Sequence, residues 1–387
     1  MKLVHTADLH LGYRAYHRTD ARGINIREAD VAGAFREVLD RTLEIKPDLL
    51  LVAGDVFHTV RPSNAAIADA FRQFSRFRQG SPDTQVLIIA GNHDSPRAAE
   101  TGNILRLFSE IPGVHVVHHE PRRLTFPQLG TSVLCLPHNS LMVETRHAIE
   151  PDSEAETNIL MAHAAHERLK LISHYGAAVL PSDEIKPEQW DYIALGHYHL
   201  YEKLAPNMIY PGAIERTSLD IWSEADKPKG FVEFETKKGR ARFHELDTPR
   251  MVIDLEPVLG HELAPEQLDG AIESALDGVV GGIDGKIIRL RLFGVPREVY
   301  RELDHRKIRD YRTAALHLHL DVRPPEVRRS ESSGAPGGRR SLREELSAFL
   351  KHHWKPEADK LDREALIELG LRYLQRAEEA EALESRD

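Results

Sequence analysis

Five segments of the chain place a histidine, an aspartate or an asparagine directly after a short apolar run. These segments are Asp8-Leu9-His10, Gly54-Asp55, Gly91-Asn92-His93-Asp94, His163 and Gly196-His197-Tyr198-His199. Aspartate supplies oxygen ligands and can bridge two ions, imidazole supplies nitrogen, and asparagine can offer a neutral carbonyl oxygen. A mixed oxygen and nitrogen set without thiolate favours Mn²⁺, Fe²⁺ or Zn²⁺. Two such ions together can clamp a phosphate and lower the pKa of a water, which is the chemistry of phosphodiester hydrolysis.

Each segment alone is weak evidence, because a short polar turn after a strand is common. Gly91-Asn92-His93-Asp94 and Gly196-His197-Tyr198-His199 are more specific, since each follows a run that has the composition of a buried strand. Turn chemistry does not readily explain all five segments in this order, each at the end of an apolar run. The combination therefore favours a metal site over a set of unrelated turns.

The apolar runs predict the strands that position these side chains. They cover Lys2–His5, Leu49–Ala53, Val86–Ala90, Ser132–Leu136, Ile159–Ala162 and Tyr192–Leu195. A helical repeat from Val31 to Leu43 follows the first run, and Pro62-Ser63 opens a second helix after the next. Alternating strands and helices indicate a layered α/β domain, placed at residues 1–245. The carboxyl ends of strands in such a sheet converge on one crevice, and glycines let the backbone approach it.

A second unit, predicted at residues 249–323, has the pattern of a small α+β cap. Its expected strands are Met251–Leu255, Lys286–Leu292 and Ala315–Val322, and its expected helices are Pro265–Leu276 and Pro296–Ile308. Residues 324–341 contain almost no apolar side chain and predict a flexible linker. Two amphipathic helices are expected in residues 342–387, at Leu342–Trp354 and Asp362–Ala382.

The composition restricts the class of protein more than its activity. The chain has 387 residues, of which 41% are hydrophobic, and no run approaches the roughly 18 apolar residues of a membrane span. The first residues lack the apolar run of a signal peptide, and the single cysteine, Cys135, cannot form an internal disulfide. A cytoplasmic protein without a membrane partner is expected. The net charge of −10 argues against a general coating of nucleic acid but allows local contacts.

With these segments assembled, the sequence resembles the calcineurin-like metallophosphoesterases. That superfamily shares Asp-x-His, Gly-Asp, Gly-Asn-His-Asp/Glu, a later His, and Gly-His-x-His. Within it the chain is most similar to the SbcD family, the bacterial nuclease subunits of a double-strand-break repair complex. The closer match is carried by the segments at residues 5–12, 53–58, 91–95 and 210–216. The resemblance implies a layered sheet sandwich with helices on the outside, a small α+β cap domain and a C-terminal helical pair.

The resemblance also implies a role for each polar residue, with two Mn²⁺ ions bound and Mg²⁺, Fe²⁺ or Zn²⁺ possible in their place. One ion would be held by Asp8, His10, Asp55 and His199, and the other by Asp55, Asn92, His163 and His197, with Asp55 bridging. His93 would stabilise the transition state or protonate the leaving oxygen, and Asp94 would orient His93. His58 would contact the substrate phosphate, or it is an ordinary surface histidine in a turn.

Other features favour DNA as the substrate. The loop after the first segment carries Arg14, His17, Arg18, Arg22 and Arg27, which could follow a phosphate backbone. The stretch from Lys286 to Arg312 is also rich in basic residues. Contact would be with backbone and shape rather than with base sequence. The expected function is a metal-dependent DNA nuclease, a double-strand exonuclease and single-strand endonuclease of a repair and recombination complex, associated with the nucleoid when on DNA.

The expected partners also follow from the resemblance. Residues 342–387 would dock onto a coiled-coil ATPase of the SbcC type, or would pack back onto the cap. The chain would form a homodimer through the helices around Phe71 and Leu105, although these side chains could equally be core. Two other functions stay open: a phosphodiesterase for small nucleotides or lipids with the cap as a lid, and a non-catalytic scaffold that recruits an ATPase.

Overall fold

A computed structural model of the chain describes residues 1–96, 102–143, 146–169, 178–325, 349–350, 366–370 and 373. The chain divides into two compact units, Met1–Pro325 and Glu326–Asp387. In the second unit the described residues 349–350, 366–370 and 373 are helical. The remainder of the helices predicted at Leu342–Trp354 and Asp362–Ala382, and nearly all of the predicted linker, lie outside the described residues.

The first unit contains all of the long strands and helices that the structure describes. Its strands are β1 (Lys2–Thr6), β2 (Leu49–Ala53), β3 (Gln85–Ile89), β4 (Val114–Val117), β5 (Arg122–Phe126), β6 (Thr131–Leu136), β7 (Thr157–His163), β8 (Ala165–His166), β9 (Val179–Leu180), β10 (Tyr192–Gly196), β11 (Glu202–Ala205), β12 (Met208–Tyr210), β13 (Gly230–Glu235), β14 (Arg240–Glu245), β15 (Val252–Asp254), β16 (Val258–Leu259), β17 (Ile287–Phe293) and β18 (His317–Arg323). Its helices are α1 (Ile26–Ile45), α2 (Asn64–Gly80), α3 (His138–Leu141), α4 (Ser182–Ile185), α5 (Pro265–Asp277), α6 (Arg297–Arg301) and α7 (His305–Ala314), with a longer 3₁₀ helix at Ile104–Glu110.

Two six-stranded sheets form the layers of the sandwich. The first has the order β14–β13–β1–β2–β3–β4, and the second has the order β11–β12–β10–β7–β6–β5. In both sheets the central strands run parallel: β1 to β4 in the first, and β6, β7, β10 and β12 in the second. Strands β2 and β6 have no exposed residue, and burial on both faces accounts for the continuous apolar character of β2.

Apolar side chains from the facing surfaces of the two sheets form the central core. Leu51 and Ile89 of the first sheet belong to the same buried cluster as Val133 and Ile159 of the second. Helices α1 and α2 cover the outer face of the first sheet with residues such as Phe35. The predicted layered α/β sandwich with outer helices is therefore confirmed. Among the described residues, no helix is long and apolar enough to cross a membrane.

Residues beyond Pro249 form a small parallel sheet with helices packed on it. Strand β17 pairs in parallel with β15, β16 and β18, and α5 and α7 contribute Leu268 and Ile308 to its core. The single helix predicted at Pro296–Ile308 is wrong. Two helices are present, because the Asp304 side chain accepts the amide hydrogens of Arg306 and Lys307 and so begins a new helix there. The domain boundaries at 1–245 and 249–323 stay a prediction.

Candidate metal centre

The predicted ligand residues lie at one edge of the sandwich, where central strands of both sheets end. Asp8 and Asp55 follow β1 and β2 of the first sheet, and Asn92 follows β3. His163 is the last residue of β7, and it pairs in register with Gly196 at the end of the neighbouring β10. Because the central strands of each sheet are parallel, their carboxyl ends meet at this edge. The two sheets therefore deliver ligands to one place from opposite sides.

The first group of side chains consists of Asp8, His10 and His199. One ligand atom from each lies within 4.8 Å of the others. The Nε2 atoms of His10 and His199 are 3.0 Å apart. Burial lowers the pKa of His10 well below its ordinary value, and the neighbouring His199 lowers it further. A neutral imidazole keeps a lone pair for a metal, so this group fits a divalent cation.

The second group consists of Asp55, His163 and His197, with Asn92 beside it. One ligand atom from each of the first three lies within 4.8 Å of the others. The Oδ1 of Asn92 is 3.1 Å from His163 Nε2 and 3.1 Å from His197 Nδ1. Burial lowers the pKa of His197 to about 3, and the neighbouring His163 adds to this. Nitrogen and oxygen donors without sulfur again fit a hard or borderline divalent ion.

Asp55 belongs to the second group and also approaches His10 of the first. Its Oδ2 is 3.3 Å from His163 Nε2 and 3.9 Å from His10 Nε2. Burial opposes ionisation of Asp55, but His163, by charge and by hydrogen bond, outweighs that effect and holds the pKa of the carboxyl well below its usual range. The side chain is therefore an ionised carboxylate within reach of both groups. This is the position that a bridging ligand would occupy.

The backbone around the ligands is itself unusual. Asp8, His10, Asp55 and His197 have φ angles of 52°, 48°, 52° and 103°, in or near the left-handed region that side chains other than glycine rarely adopt. At two positions near the ligands there is no room for a side chain, so glycine is required. A Cβ at Gly54 would lie 2.1 Å from His163 Nδ1, and a Cβ at Gly91 would lie 2.1 Å from Asp55 Oδ1. Such contacts are impossible, so only glycine lets the strands turn this closely around the ligands.

His93 lies beside both groups and is held at one ring nitrogen. Its Nδ1 donates to the carbonyl oxygen of His58 over 2.7 Å, and its backbone N–H donates to Asp55 Oδ1 over 2.8 Å. Its ring centroid is 4.8 Å from that of His10. Because Nδ1 is occupied, Nε2 is the nitrogen left for a substrate. The His58 ring is half-buried and lies 5.3 Å from the His93 ring, so the two histidines share one wall of the site.

Asp94 does not orient His93 as predicted. Its buried carboxylate accepts hydrogen bonds from the backbone N–H groups of Val56, Phe57 and Gly91, at 3.0, 2.9 and 3.0 Å. These bonds tie the turn after β3 to the turn after β2. Burial, with the nearby Asp55 charge, raises the pKa of Asp94 to about 6. The residue that holds the His93 ring is instead His58, through its carbonyl oxygen.

The basic loop after β1 is only partly available to a ligand. Arg27 is wholly buried and paired with Asp30 at 2.8 Å and Glu215 at 3.3 Å, so its predicted role in DNA contact is wrong. Arg18 donates to the carbonyl oxygens of Thr313 and Ala315, and therefore fastens the loop to the segment between α7 and β18. The three remaining residues, Arg14, His17 and Arg22, have exposed side chains.

Two features near the site were not predicted from the sequence. His138 follows β6, is buried, and places its ring 6.2 Å from that of His163. Its position after a predicted strand was a signal that could have identified it. Glu224 and Lys229, a buried ion pair at 2.5 Å, contact His199. Neither follows a predicted ligand strand, so no pattern in the sequence pointed to them.

Comparison with known proteins identifies the family of the chain. A family model for calcineurin-like phosphoesterases matches residues 1–201, which is more than half of the chain. The chain belongs to the calcineurin-like phosphoesterase family, and the resemblance inferred from the sequence is confirmed.

Several of the relatives found are archaeal proteins. The chain is 29% identical over 240 residues to the DNA double-strand break repair protein Mre11 of Methanocaldococcus jannaschii, covering 60% of this chain and 61% of that protein. It is 28% identical over 262 residues to the Mre11 protein of Methanopyrus kandleri, covering 62% of this chain and 55% of that protein. With the Mre11 protein of Thermoplasma acidophilum it shares 26% identity over 300 residues, covering 75% of this chain and 72% of that protein. The chain thus spans less than two thirds of the length of the first two relatives.

Proposed function

We propose that this chain is a metal-dependent DNA nuclease that hydrolyses phosphodiester bonds within a DNA repair complex. The observation that carries the proposal is the position of Asp55, an ionised carboxylate between two convergent ligand groups. Membership of the calcineurin-like phosphoesterases supports the reaction type. The choice of DNA is supported by relatives that are named as double-strand break repair proteins. The proposed ions are two Mn²⁺, with Mg²⁺, Fe²⁺ or Zn²⁺ as alternatives.

The proposed ligand sets are those of the two groups. Asp8, His10, Asp55 and His199 would hold one ion, and Asp55, Asn92, His163 and His197 would hold the other. Divalent ions bound there would neutralise the charge of the phosphate and lower the pKa of a water. The carboxylates of Asp8 and Asp55 balance part of the added positive charge. Imidazole nitrogens supply the other donors, and a metal would replace the proton that the neighbouring Asp55 carboxylate favours on His163, whose pKa is raised to about 9.

His93 is the residue proposed to act on the reacting phosphodiester. Its Nδ1–H is fixed on the His58 carbonyl oxygen, so the ring is oriented before substrate arrives. When the ring is protonated at both nitrogens, Nε2–H can then donate its proton to the leaving oxygen or a hydrogen bond to a charged phosphate oxygen. His58 is proposed to contact the same phosphate, because its ring lies beside that of His93.

DNA contact is proposed for the exposed residues of the basic loop and for the cap. Arg14, His17 and Arg22 are exposed in the loop that begins just after His10. Exposed arginines on α6 and α7, such as Arg297 and Arg309, extend the positive surface. Such residues would contact backbone phosphates, so the binding is expected to depend on salt and not on base sequence.

The proposed partners are a second copy of the chain and a coiled-coil ATPase of the SbcC type. Phe74, Phe77, Leu105 and Phe108 are buried core and do not supply a dimer surface. Ile67 and Phe71 on α2, with Leu107, instead line an open apolar groove to which a second copy could bind. Most of residues 342–387 lie outside the described residues, so the docking of the ATPase onto this segment is a proposal from the sequence.

A digestion of end-labelled DNA tests the proposed activity. Linear duplex and single-stranded DNA are incubated with the full chain and Mn²⁺, Mg²⁺ or EDTA, beside cyclic nucleotides and bis(p-nitrophenyl) phosphate. We expect cleavage of both DNA forms with Mn²⁺ and none with EDTA. Hydrolysis of cyclic nucleotides without cleavage of DNA would support the small-molecule phosphodiesterase. Stoichiometric metal binding with no hydrolysis of any substrate would support the scaffold.

The variant His93→Gln tests the role of the proposed acid. Its hydrolysis rate should fall by about 10²- to 10⁴-fold, because general acid catalysis is lost, while the metal content stays that of the wild type. His115→Gln is the matched control, since His115 lies on β4, bonded to Gln85 and away from the ligand groups. Wild-type activity in His93→Gln would exclude His93 from the reaction.

A further inference from the structure

His199 is contacted on both sides of its ring. On one side its Nε2 lies 3.0 Å from His10 Nε2, within the first ligand group. On the other side its Nδ1 lies 3.4 Å from the Oε1 of Glu224. Glu224 is buried, and it is the last residue of the 3₁₀ helix Ile221–Glu224. The imidazole therefore has one nitrogen toward the proposed ion and the other toward a carboxylate.

Lys229 completes this arrangement. Its Nζ lies 2.5 Å from Glu224 Oε2 and also donates to the carbonyl oxygen of His199 over 2.9 Å. Lys229 is buried directly before β13. Glu224 is fixed in turn through its own carbonyl oxygen, which accepts from Arg216 Nε at 3.0 Å. One buried ion pair thus hydrogen-bonds the backbone of His199 and places a carboxylate oxygen 3.4 Å from its ring.

Two other histidines of the site have a carbonyl oxygen as the acceptor at Nδ1. His163 Nδ1 is bonded to the carbonyl oxygen of Ala53 at 2.8 Å, and His93 Nδ1 to the carbonyl oxygen of His58 at 2.7 Å. In each case an acceptor fixes the proton on Nδ1 and leaves the Nε2 lone pair for the site. For His199 the nearest acceptor is the Glu224 carboxylate, whose Oε1 lies 3.4 Å from a buried Nδ1 that has no hydrogen-bond partner among the described residues. A carboxylate beside Nδ1 is the arrangement that commonly orients a metal-binding histidine.

A purely structural reason for the buried pair is insufficient. Removing two charges from water is expensive, and apolar residues of similar size often replace such a pair without loss of stability. We propose that Glu224, held in place by Lys229, is a positioning residue that keeps the proton of His199 on Nδ1 and presents Nε2 to the metal. This inference rests on the proposed role of His199 as a metal ligand.

Calorimetric titration with Mn²⁺ tests the inference in the full chain. The double variant Glu224→Leu with Lys229→Met replaces the pair by apolar residues of similar size, so the fold should be kept. We expect its Mn²⁺ affinity to fall by 10- to 100-fold while its melting temperature in EDTA stays near that of the wild type. Glu233→Gln is the matched control, because Glu233 makes a 2.8 Å contact with His244 on β13 and β14, away from the ligands. Its Mn²⁺ affinity should be unchanged.

A second variant keeps the inference testable if the double variant does not fold. Glu224→Gln preserves shape but removes the charge, and we expect a smaller loss of Mn²⁺ affinity in the same direction. Nitrogen NMR of metal-free protein labelled at histidine gives a readout independent of affinity, with the His199 signal assigned by its absence in His199→Gln. The Nδ1–H form should dominate in the wild type, and the Nε2–H form should increase in Glu224→Gln.

The outcomes separate this inference from the assignment of the ligands. Wild-type affinity and an unchanged tautomer in the Glu224 variants would overturn the positioning role. If His199→Gln itself binds Mn²⁺ as tightly as the wild type, His199 is not a ligand and the proposed metal site is wrong at that position. If Mn²⁺ affinity falls in His199→Gln but does not change in the Glu224 variants, the proposed function is intact and only the inference is rejected.

Discussion

Two buried clusters of ionisable side chains in this molecule satisfy their polar atoms in different ways. The first, here called the junction network, consists of Arg27, Asp30, Glu215 and Arg250. Both oxygens of Glu215 accept backbone N–H groups, from Arg216 and Arg250, at 2.7 Å each. Both oxygens of Asp30 accept from the Arg250 guanidinium at 2.6 Å. With two positive and two negative charges, the network is balanced by its own members.

The ligand cluster at the edge of the sheets lacks this internal balance. The Nε2 atoms of His10 and His199 face each other at 3.0 Å, and the Oδ1 of Asn92 faces the ring nitrogens of His163 and His197. These atoms are suited to meet around a positive ion. Burial of charged groups is thus common to both clusters and does not mark function. What distinguishes the ligand cluster is that its donor atoms face one another in two groups, each with its atoms within 4.8 Å of one another.

The largest effect expected from this comparison is on the stability of the junction network. Arg27→Met would leave Glu215 and Asp30 without their buried partner, so we expect the free energy of unfolding to fall by about 3–5 kcal/mol. Urea denaturation in EDTA measures the change. Arg72→Met is the control, because Arg72 and Asp69 form an exposed pair on α2 whose loss should matter by less than about 0.5 kcal/mol. If the free energy of unfolding falls by less than about 1 kcal/mol in Arg27→Met, the junction network does not depend on the balance among its own charges.

The second expected effect concerns the ligand cluster and an added ion. Mn²⁺ at about 100 times its dissociation constant should raise the free energy of unfolding by about 2.7 kcal/mol, because it binds only the folded chain. Asp55→Asn should abolish this gain, since Asp55 reaches both groups. Arg72→Met should retain it. Urea denaturation with and without Mn²⁺ measures this increase in the free energy of unfolding. If Asp55→Asn shows the same increase as the wild type, the ion binds elsewhere.

A smaller effect tests a buried histidine that belongs to neither cluster. His5 lies on β1 with its Nδ1 2.9 Å from the hydroxyl of Tyr192, and burial lowers its pKa to about 3. An unfolded histidine titrates near 6.5. Between pH 6.5 and pH 3 the unfolded chain binds the extra proton, so stability falls as pH falls, by up to about 1.4 kcal/mol per pH unit. The contribution is fully present above pH 6.5.

The variant His5→Asn isolates that contribution from the other buried histidines. Its free energy of unfolding in EDTA should decline less steeply than that of the wild type between pH 6.5 and pH 4.5. Urea denaturation at four pH values across this interval compares the two slopes. Parallel curves would mean that His5 is protonated in the folded protein, contrary to the expectation.

The smallest effect belongs to the exposed part of the basic loop. Arg14 pairs with Glu28 at 2.7 Å, but 60% of its side chain is exposed, so Arg14→Ala should change stability by less than about 1 kcal/mol. If Arg14 contacts a DNA phosphate, the slope of log affinity against log salt should decrease by about 0.9 in that variant. Binding titrations with duplex DNA at several salt concentrations measure the slope. An unchanged slope would remove Arg14 from the proposed DNA surface.

The sequence was sufficient to predict the central strands and the two long helices. β1, β2, β3, β6, β7 and β10 begin and end within two residues of their predicted bounds, because continuous apolar runs identify buried parallel strands. The convergence of Asp8, Asp55 and His163 also followed, since it depends only on strand direction. The antiparallel strands β13 and β14 were not predicted, because polar residues interrupt them and they lack the continuous apolar run that identified the others.

The remaining errors come from partners that are distant in sequence. The burial of Arg27 depends on Glu215, which is brought close only by the folded chain. The hydrogen bonds of Asp94 go to backbone amides, and no residue type in the sequence reveals these. Sequence patterns therefore predicted which residues reach the site but not which groups hold them there.

The hydrogen bonds that cross from one sheet to the other at the ligand edge also have a mechanical consequence. His163 Nδ1 donates to the Ala53 carbonyl oxygen at 2.8 Å, and the backbone N–H of His197 reaches the Asp8 carboxylate at 3.1 Å. Apolar contact between the two layers has no preferred direction and tolerates sliding, whereas these bonds require particular positions. They therefore fix how far one layer is displaced along the other. A substitution deep in the central core that shifts this displacement would change the spacing between the two ligand groups without touching any ligand.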